Sequence, residues 1–287
     1  MNVLVATDGS KYGRWAMNWV AMLPLAEQPS VMALHVVDIA ALRAPFLAQP
    51  VIAGTERYIQ EEIQRMEARS GKALKEANQQ LALLKLKGTV RKEQGAVAST
   101  LLKRAPKREG LLVVGSQGLD ALDRFMLGSV STNLIHHATC PVLVIKSEPT
   151  PLRQIMLATD GSDASAKALA FVLSKFRPDI SAGNGERVPI HVSVIHVMPL
   201  VKYPGLKKVG DKMLEQSVRK LVEAGFTAEP LCRFGKPAEE IMKAASKEHA
   251  DLIVMGAQGL GAVARFLIGS VSTRVVQHAN CAVLVVR

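Results

Sequence analysis

Little in this chain points to covalent cross-linking or to a membrane. Three cysteines, Cys140, Cys232 and Cys281, in 287 residues are too few, and odd in number, for a disulfide framework, which fits a reducing cytoplasm. No uncharged apolar run approaches the roughly 18 residues that a spanning helix needs. Met1 to Ser10 run straight into an apolar stretch without a basic leader or small-residue cleavage site, so the expected location is cytoplasmic. Aromatic residues make up only 4% of the chain, which disfavours base-stacking platforms for single-stranded nucleic acid.

What is present suits folded cores. Apolar residues make up 48% and charged residues 21%, which excludes a disordered or fibrous chain. The length favours two domains over one. The net charge of +11 is spread evenly, with 18 basic against 12 acidic residues through Lys146 and 18 against 13 after it. That balance favours anionic partners without naming one.

The strongest signal is self-similarity. Val3 to Lys11 (VLVATDGSK) matches Ile155 to Asp163 (IMLATDGSD) at an offset of 152, and Val113 to Lys146 matches Val254 to Arg287 at an offset of 141 with 19 of 34 positions identical. The chain is therefore a duplicated domain, expected at 1–146 and 153–287. Between them Ser147-Glu-Pro-Thr-Pro-Leu152 reads as a short linker. The fall of 11 in the offset places about 11 extra residues in the middle of the first copy, where the amphipathic stretch Thr55 to Leu86 is longer than Gly205 to Ala224.

Short runs rich in Val, Ile and Leu alternate with helical patterns in both copies. Strands are predicted at Val3 to Ala6, Val31 to Val37, Thr89 to Lys92, Leu111 to Val114 and Val142 to Ile145. In copy two they fall at Ile155 to Ala158, Ile190 to Val197, Thr227 to Cys232, Leu252 to Met255 and Val283 to Val286. Continuous apolar strands separated by helices predict an α/β fold, two doubly wound domains, each with a parallel sheet covered on both faces. Ligands of such sheets bind beyond the carboxyl ends of the strands, where the strand order reverses. The first strand ends in Thr7-Asp8-Gly9-Ser10 and the fourth in Gly115-Ser116-Gln117-Gly118, matched by Thr159 to Ser162 and Gly256 to Gly259.

After the fourth strand copy one reads G115-S-Q-G118, nine residues, then G128-S129-V130-S131-T132. Copy two reads G256-A-Q-G259, nine residues, then G269-S270-V271-S272-T273. Glycines let the backbone approach a bulky ligand. A helix opening at Gly128-Ser129 offers free amides and its positive dipole end to a phosphate, with the Ser129 and Ser131 hydroxyls as further donors. One G-x-x-G is ordinary punctuation between strand and helix, but the whole pattern occurring twice with identical spacing points to a nucleotide phosphate site.

The spacing G-x2-G-x9-G-S, the Asp ending the first strand and the closing Val-rich strand resemble the ATP-binding branch of the universal stress protein family, here as a tandem of two copies. The resemblance implies a five-stranded sheet of order 3-2-1-4-5 in each domain, the domains pairing through Pro141 to Lys146 and Ala282 to Arg287 about a pseudo-twofold axis. It implies that Asp8 and Asp160 lie beside the ribose and adenine, and that the main chain at Val36 or Val37, and at Val197, holds the adenine. It further implies that Val114, Gly115 and Gly118, with Met255, Gly256 and Gly259, wrap the ribose and phosphates. Gly128, Ser129, Val130 and Ser131, with Gly269, Ser270, Val271 and Ser272, would bind the phosphates.

Other candidates have plainer readings. The residues Asp8 and Asp160 could form Asx-turns, His35 and His196 satisfied core positions, His137 and His278 helix-dipole partners, and Cys140 and Cys281 packing; none has metal-ligand spacing. Within the nine-residue loops, Asp120 and Asp123 face Gly261 and Ala264 in the alignment of copies, while Arg124 and Arg265 are shared. Two carboxylates repel a triphosphate unless Mg2+ intervenes, so site two is expected to bind ATP more tightly at low Mg2+.

The chain has no G-x4-G-K-[ST] motif, no Lys behind the phosphate glycines and no repeated Cys–His or Ser–His pair. The expected function is ATP-dependent sensing or regulation in a stress response, one nucleotide per domain. A slow ATPase or nucleotidyl transferase is the competing class, and a nucleic-acid or chaperone-like module the third. The basic clusters Lys103-Arg104 with Lys107-Arg108, and Lys207-Lys208, lack interleaved aromatics and read as solvated faces. Both a monomer and a homodimer of tandem chains satisfy the implied pairing. No membrane partner is expected, and nothing in the sequence identifies a regulatory protein partner.

Overall fold

The computed structural model describes residues 1–43, 55–107, 109–118, 127–181, 186–198, 204–259 and 268–287. In the first repeat the order is β1 (Asn2–Ala6), α1 (Lys11–Met22), β2 (Ser30–Val37), α2 (Ile39–Arg43), α3 (Thr55–Leu83), β3 (Lys87–Gln94), α4 (Val97–Arg104), β4 (Leu111–Gly115), α5 (Ser129–His137) and β5 (Val142–Ile145). The second runs β6 (Gln154–Ala158), α6 (Asp163–Lys175), β7 (Asp179–Ser181), β8 (Arg187–Pro189), β9 (His191–Met198), α7 (Pro204–Glu223), β10 (Thr227–Phe234), α8 (Pro237–Lys247), β11 (Leu252–Gly256), α9 (Ser270–His278) and β12 (Ala282–Val286).

Ten strands form one sheet in the order β10-β9-β6-β11-β12-β5-β4-β1-β2-β3. Each half has the expected 3-2-1-4-5 order and is parallel throughout. The halves join antiparallel through their last strands, with Val142 opposite Val285, Leu143 opposite Leu284 and Val144 opposite Val283. A second seam lies beneath: Leu25 bridges Phe176, flanked by the Ala26 amide on the Lys175 carbonyl (2.8 Å) and the Arg177 amide on the Pro24 carbonyl (2.6 Å).

Period-two alternation sorts the strand side chains into two cores, one per face. Val3, Val5, Val113 and Leu143 pack with Ile155, Leu157, Val254 and Leu284 under α1, α3, α6 and α7. Leu4, Leu112, Val114 and Val144 pack with Met156, Ile253, Met255 and Val285 under α4, α5, α8 and α9. Both cores run across the domain seam without interruption. Of the outer strands, β3 is mostly exposed and polar, while β10 is half exposed and carries Pro230, both features suited to sheet edges.

The repeat offset corrects the expected insertion. It is 152 at β1, 161 at β2 (Val31 to Val192) and 140 at β3 (Lys87 to Thr227). Copy two therefore carries its own insertion before its second strand, where the antiparallel ribbon β7·β8 stands, and copy one has the larger excess between β2 and β3. The two partly cancel, which hid the ribbon. Its three-residue strands, DIS and RVP, are too short to show a period. Part of copy one's excess is α3, 29 residues against 20 in α7.

Candidate functional site

Strands β1 and β4 lie side by side, Val5 beside Val113, and their exits open into a cleft of about 420 Å³, within the size range of small-molecule sites. Nine of the expected first-copy residues line it: Asp8, Val36, Val114, Gly115, Gly118, Gly128, Ser129, Val130 and Ser131. Among the described lining residues Asp8 is the one charged group.

Asp8 and Asp160 occupy the same local geometry. Asp8 Oδ1 accepts the Ser10 amide at 2.9 Å, and Asp160 Oδ1 accepts the Ser162 amide at 3.0 Å, so the Asx-turn is real in both copies. The turn needs left-handed backbone at Gly9 (φ +81°) and Gly161 (φ +80°). Ser10 and Ser162 then cap α1 and α6 by accepting the Gly13 and Ser165 amides at 3.2 Å. The second carboxylate oxygen is turned across the cleft: a methyl group added at Gly118 would sit 2.9 Å from Asp8 Oδ2, and one at Gly259 would sit 2.6 Å from Asp160 Oδ2. The acidic turn and glycine loop thus meet in each copy.

Helices α5 and α9 begin alike. Gly128 and Gly269 are extended N-caps without a side-chain cap, and the first helical bonds are Thr132 to Gly128 and Thr273 to Gly269, both 2.9 Å. The amides of Ser129, Val130 and Ser131, and of Ser270, Val271 and Ser272, have no acceptor inside their own helix. The helix start is tied to the strand exit by the Gly128 amide on the Ser116 carbonyl (2.8 Å) and by Gly269 on Ala257 (2.7 Å).

The Ser131 hydroxyl is not a spare donor. It is buried and donates to the Gly115 carbonyl at 2.6 Å, as Ser272 does to Gly256 at 2.9 Å. A hydroxyl has one proton, so these serines lock the helix to the strand instead of offering that proton to a phosphate. Gly115 and Gly256 also have a packing role: a methyl group would lie 2.6 Å from Tyr12 Cβ and 2.5 Å from the Ala164 carbonyl carbon.

Of Val36 and Val37, Val36 lines the cleft. Val37 is buried and its carbonyl accepts the Gly95 amide at 3.0 Å, as Met198 accepts Gly235 at 2.9 Å. Val197 stands in the β9 register at the place of Val36. His35 is satisfied: Nδ1 donates to the Thr7 carbonyl and Nε2 meets the Ser70 hydroxyl of α3, both at 2.9 Å. His196 Nδ1 makes the same bond to Thr159 at 2.9 Å.

The sequence reading missed Thr7, Leu34, Val97, Leu101 and Gln117 in the lining. Leu34 shares the strand face of Val36, and Val97 and Leu101 share a helix face, so periodicity held the signal. Gln117 recurs as Gln258 inside the glycine motif. Asp120, Asp123, Arg124, Gly261, Ala264 and Arg265 lie outside the described residues, as do Arg108 and the Lys207 side chain. Among the described residues, no group of three His, Cys, Asp or Glu could hold a metal ion, and no helix is long and apolar enough to cross a membrane.

Comparison with known proteins matches the chain to a family. The model of the universal stress protein family matches residues 1–146 and again 151–287. A universal stress protein of Mycolicibacterium smegmatis is 28% identical over 294 residues, covering 99% of this chain and 96% of its own length. One from Mycobacterium tuberculosis (strain H37Rv) is 27% identical over 300 residues, covering 100% and 96%. The crystal structure of a universal stress protein from Archaeoglobus fulgidus covers 100% of this chain and 98% of its own, with a TM-score of 0.67 at 19% identity, a likeness of fold. With the family model matched once in each repeat, the chain belongs to the universal stress protein family as a tandem of two domains.

Proposed function

We propose that each domain, 1–146 and 153–287, binds one adenine nucleotide, ATP with or without Mg2+, and that occupancy sets the shape or partner surface of a cytoplasmic stress-response regulator. The observation that carries this reading is the convergence on one cleft of an acidic Asx-turn, a glycine loop and the first amides of a helix, repeated in the second copy. Amides at a helix start suit phosphate oxygens. In this reading Asp8 and Asp160 accept from ribose hydroxyls, and Val36 and Val197 offer main-chain groups to the base. The described lining of the first site holds no lysine or arginine, which leaves charge neutralisation there to backbone dipoles, to Mg2+ or to Arg124.

Turnover has no assigned base among these residues, and retention of intact nucleotide is the expectation. A thermal scan tests binding: at ATP about 100 times its dissociation constant, stability rises by about 2.7 kcal/mol, and an unchanged melting temperature refutes the site. Heating the purified chain and chromatographing the supernatant then separates a sensor, which releases intact ATP after storage, from a slow ATPase, which releases ADP.

A further inference from the structure

Each last strand is followed by a cation, Lys146 after β5 and Arg287 after β12, at repeat-equivalent positions. The antiparallel register, continued beyond the paired residues, sets Lys146 beside Cys281, at the turn between α9 and β12. It sets Arg287 beside Cys140, at the turn between α5 and β5. Both cations reach across the seam. Lys146 Nζ donates to the Gln277 carbonyl of α9 at 2.9 Å, and Arg287 Nη2 donates to the Ile135 carbonyl of α5.

These carbonyls belong to last helical turns, whose C=O groups have no donor within the helix. The Ala279 amide closes α9 on Val275 and the Ala138 amide closes α5 on Leu134, which leaves Gln277 and Ile135 to partners from outside. A cation there also meets the negative dipole end. Both links are sheltered: burial pushes the Lys146 ammonium down to about 8, and Arg287 Nε is buried with no partner among the described residues. At the other end of the same helices, a rod about 14 Å long, stand the amides of Ser129 to Ser131 and Ser270 to Ser272.

We propose that Lys146 and Arg287 are positioning residues, each holding the phosphate-facing helix of the opposite domain, so that the second site depends on domain one and the first on domain two. The inference rests on the nucleotide reading above and adds to it a dependence of each site on one residue of the other domain.

Calorimetric titration of the full chain with ATP tests it. The Asp160→Ala chain reports site one, and the Asp8→Ala chain reports site two. Lys146→Met should weaken site two about fivefold or more and leave site one within about twofold. Arg287→Met should do the reverse, and Lys146→Arg should restore site two. Equal weakening of both sites, weakening of the variant's own domain, or no change overturns the proposal. Hydrogen exchange on the nucleotide-free chain gives a reading independent of ATP: Lys146→Met should speed exchange at the end of α9 and not of α5, and equal change in both overturns the link. If the unsubstituted chain binds no ATP, the nucleotide reading and the dependence of binding on Lys146 both fall, while exchange still decides whether the cross-domain link exists.

Discussion

The glycines of the motif divide by what a methyl group would strike. At Gly256 it meets the Ala164 backbone at 2.5 Å and 2.7 Å, which cannot yield without moving the start of α6. At Gly259 it meets a carboxylate oxygen at the end of the Asp160 side chain. Gly256→Ala should therefore destabilise by about 1–3 kcal/mol, read by denaturant unfolding. Gly259→Ala should keep stability within about 1 kcal/mol and weaken ATP at site two, read by calorimetry. Buried ionisable groups at the seam make a second prediction. Lys146 loses its proton near pH 8 when folded but near 10.5 when unfolded, so the unfolded chain binds more protons and stability rises with pH above about 8. Cys140 and Cys281 are raised by burial from 9.0 to about 11; there the folded chain keeps the protons and stability falls above about 9. Stability should thus climb between pH 8 and 9 and then decline, and Lys146→Met should abolish the climb, as measured by unfolding midpoints against pH.

Among the elements, α5 and α9 are the ones whose placement the proposed nucleotide sites need. Their starts are held by a backbone bond to the strand exit and by the Ser131 or Ser272 hydroxyl, and their ends by a cation from the other domain. Ser131→Ala leaves the Gly115 carbonyl without its buried donor, which costs about 1–3 kcal/mol. It should also loosen site one more than site two, checked by ATP titration of each site. Element type and order were readable because apolar runs and glycine punctuation are local signals. The ribbon β7·β8 was not, since three-residue strands carry no period. The engagement of the Ser131 hydroxyl was not readable either, because its hydrogen-bond partner, 16 residues away, is invisible to spacing alone.

At the level of the whole chain, the ten-stranded sheet and the two cores that cross its centre leave no plane along which one domain separates without exposing buried apolar surface. The chain should unfold in a single calorimetric transition whose van't Hoff and calorimetric enthalpies agree; two resolved transitions would show that the seam is weak. Leu143 and Leu284, opposed in the central pair and each 1% exposed, belong to the core that crosses this seam. Tandem duplication keeps the pairing partner in the same molecule, so the join does not depend on protein concentration.

The duplicated domain, the strand order implied by the family resemblance, and the glycine spacing with its acidic turn were all legible in the sequence. Repeats, apolar periodicity and motif spacing are properties of neighbours along the chain. Three features were decided in space: Val36 lines the cleft while Val37 is buried; Ser131 and Ser272 spend their protons on strand carbonyls; Lys146 and Arg287 reach the opposite domain's helices. Each depends on which groups meet after the sheet has closed, a matter of distance between residues far apart in sequence that no local pattern encodes.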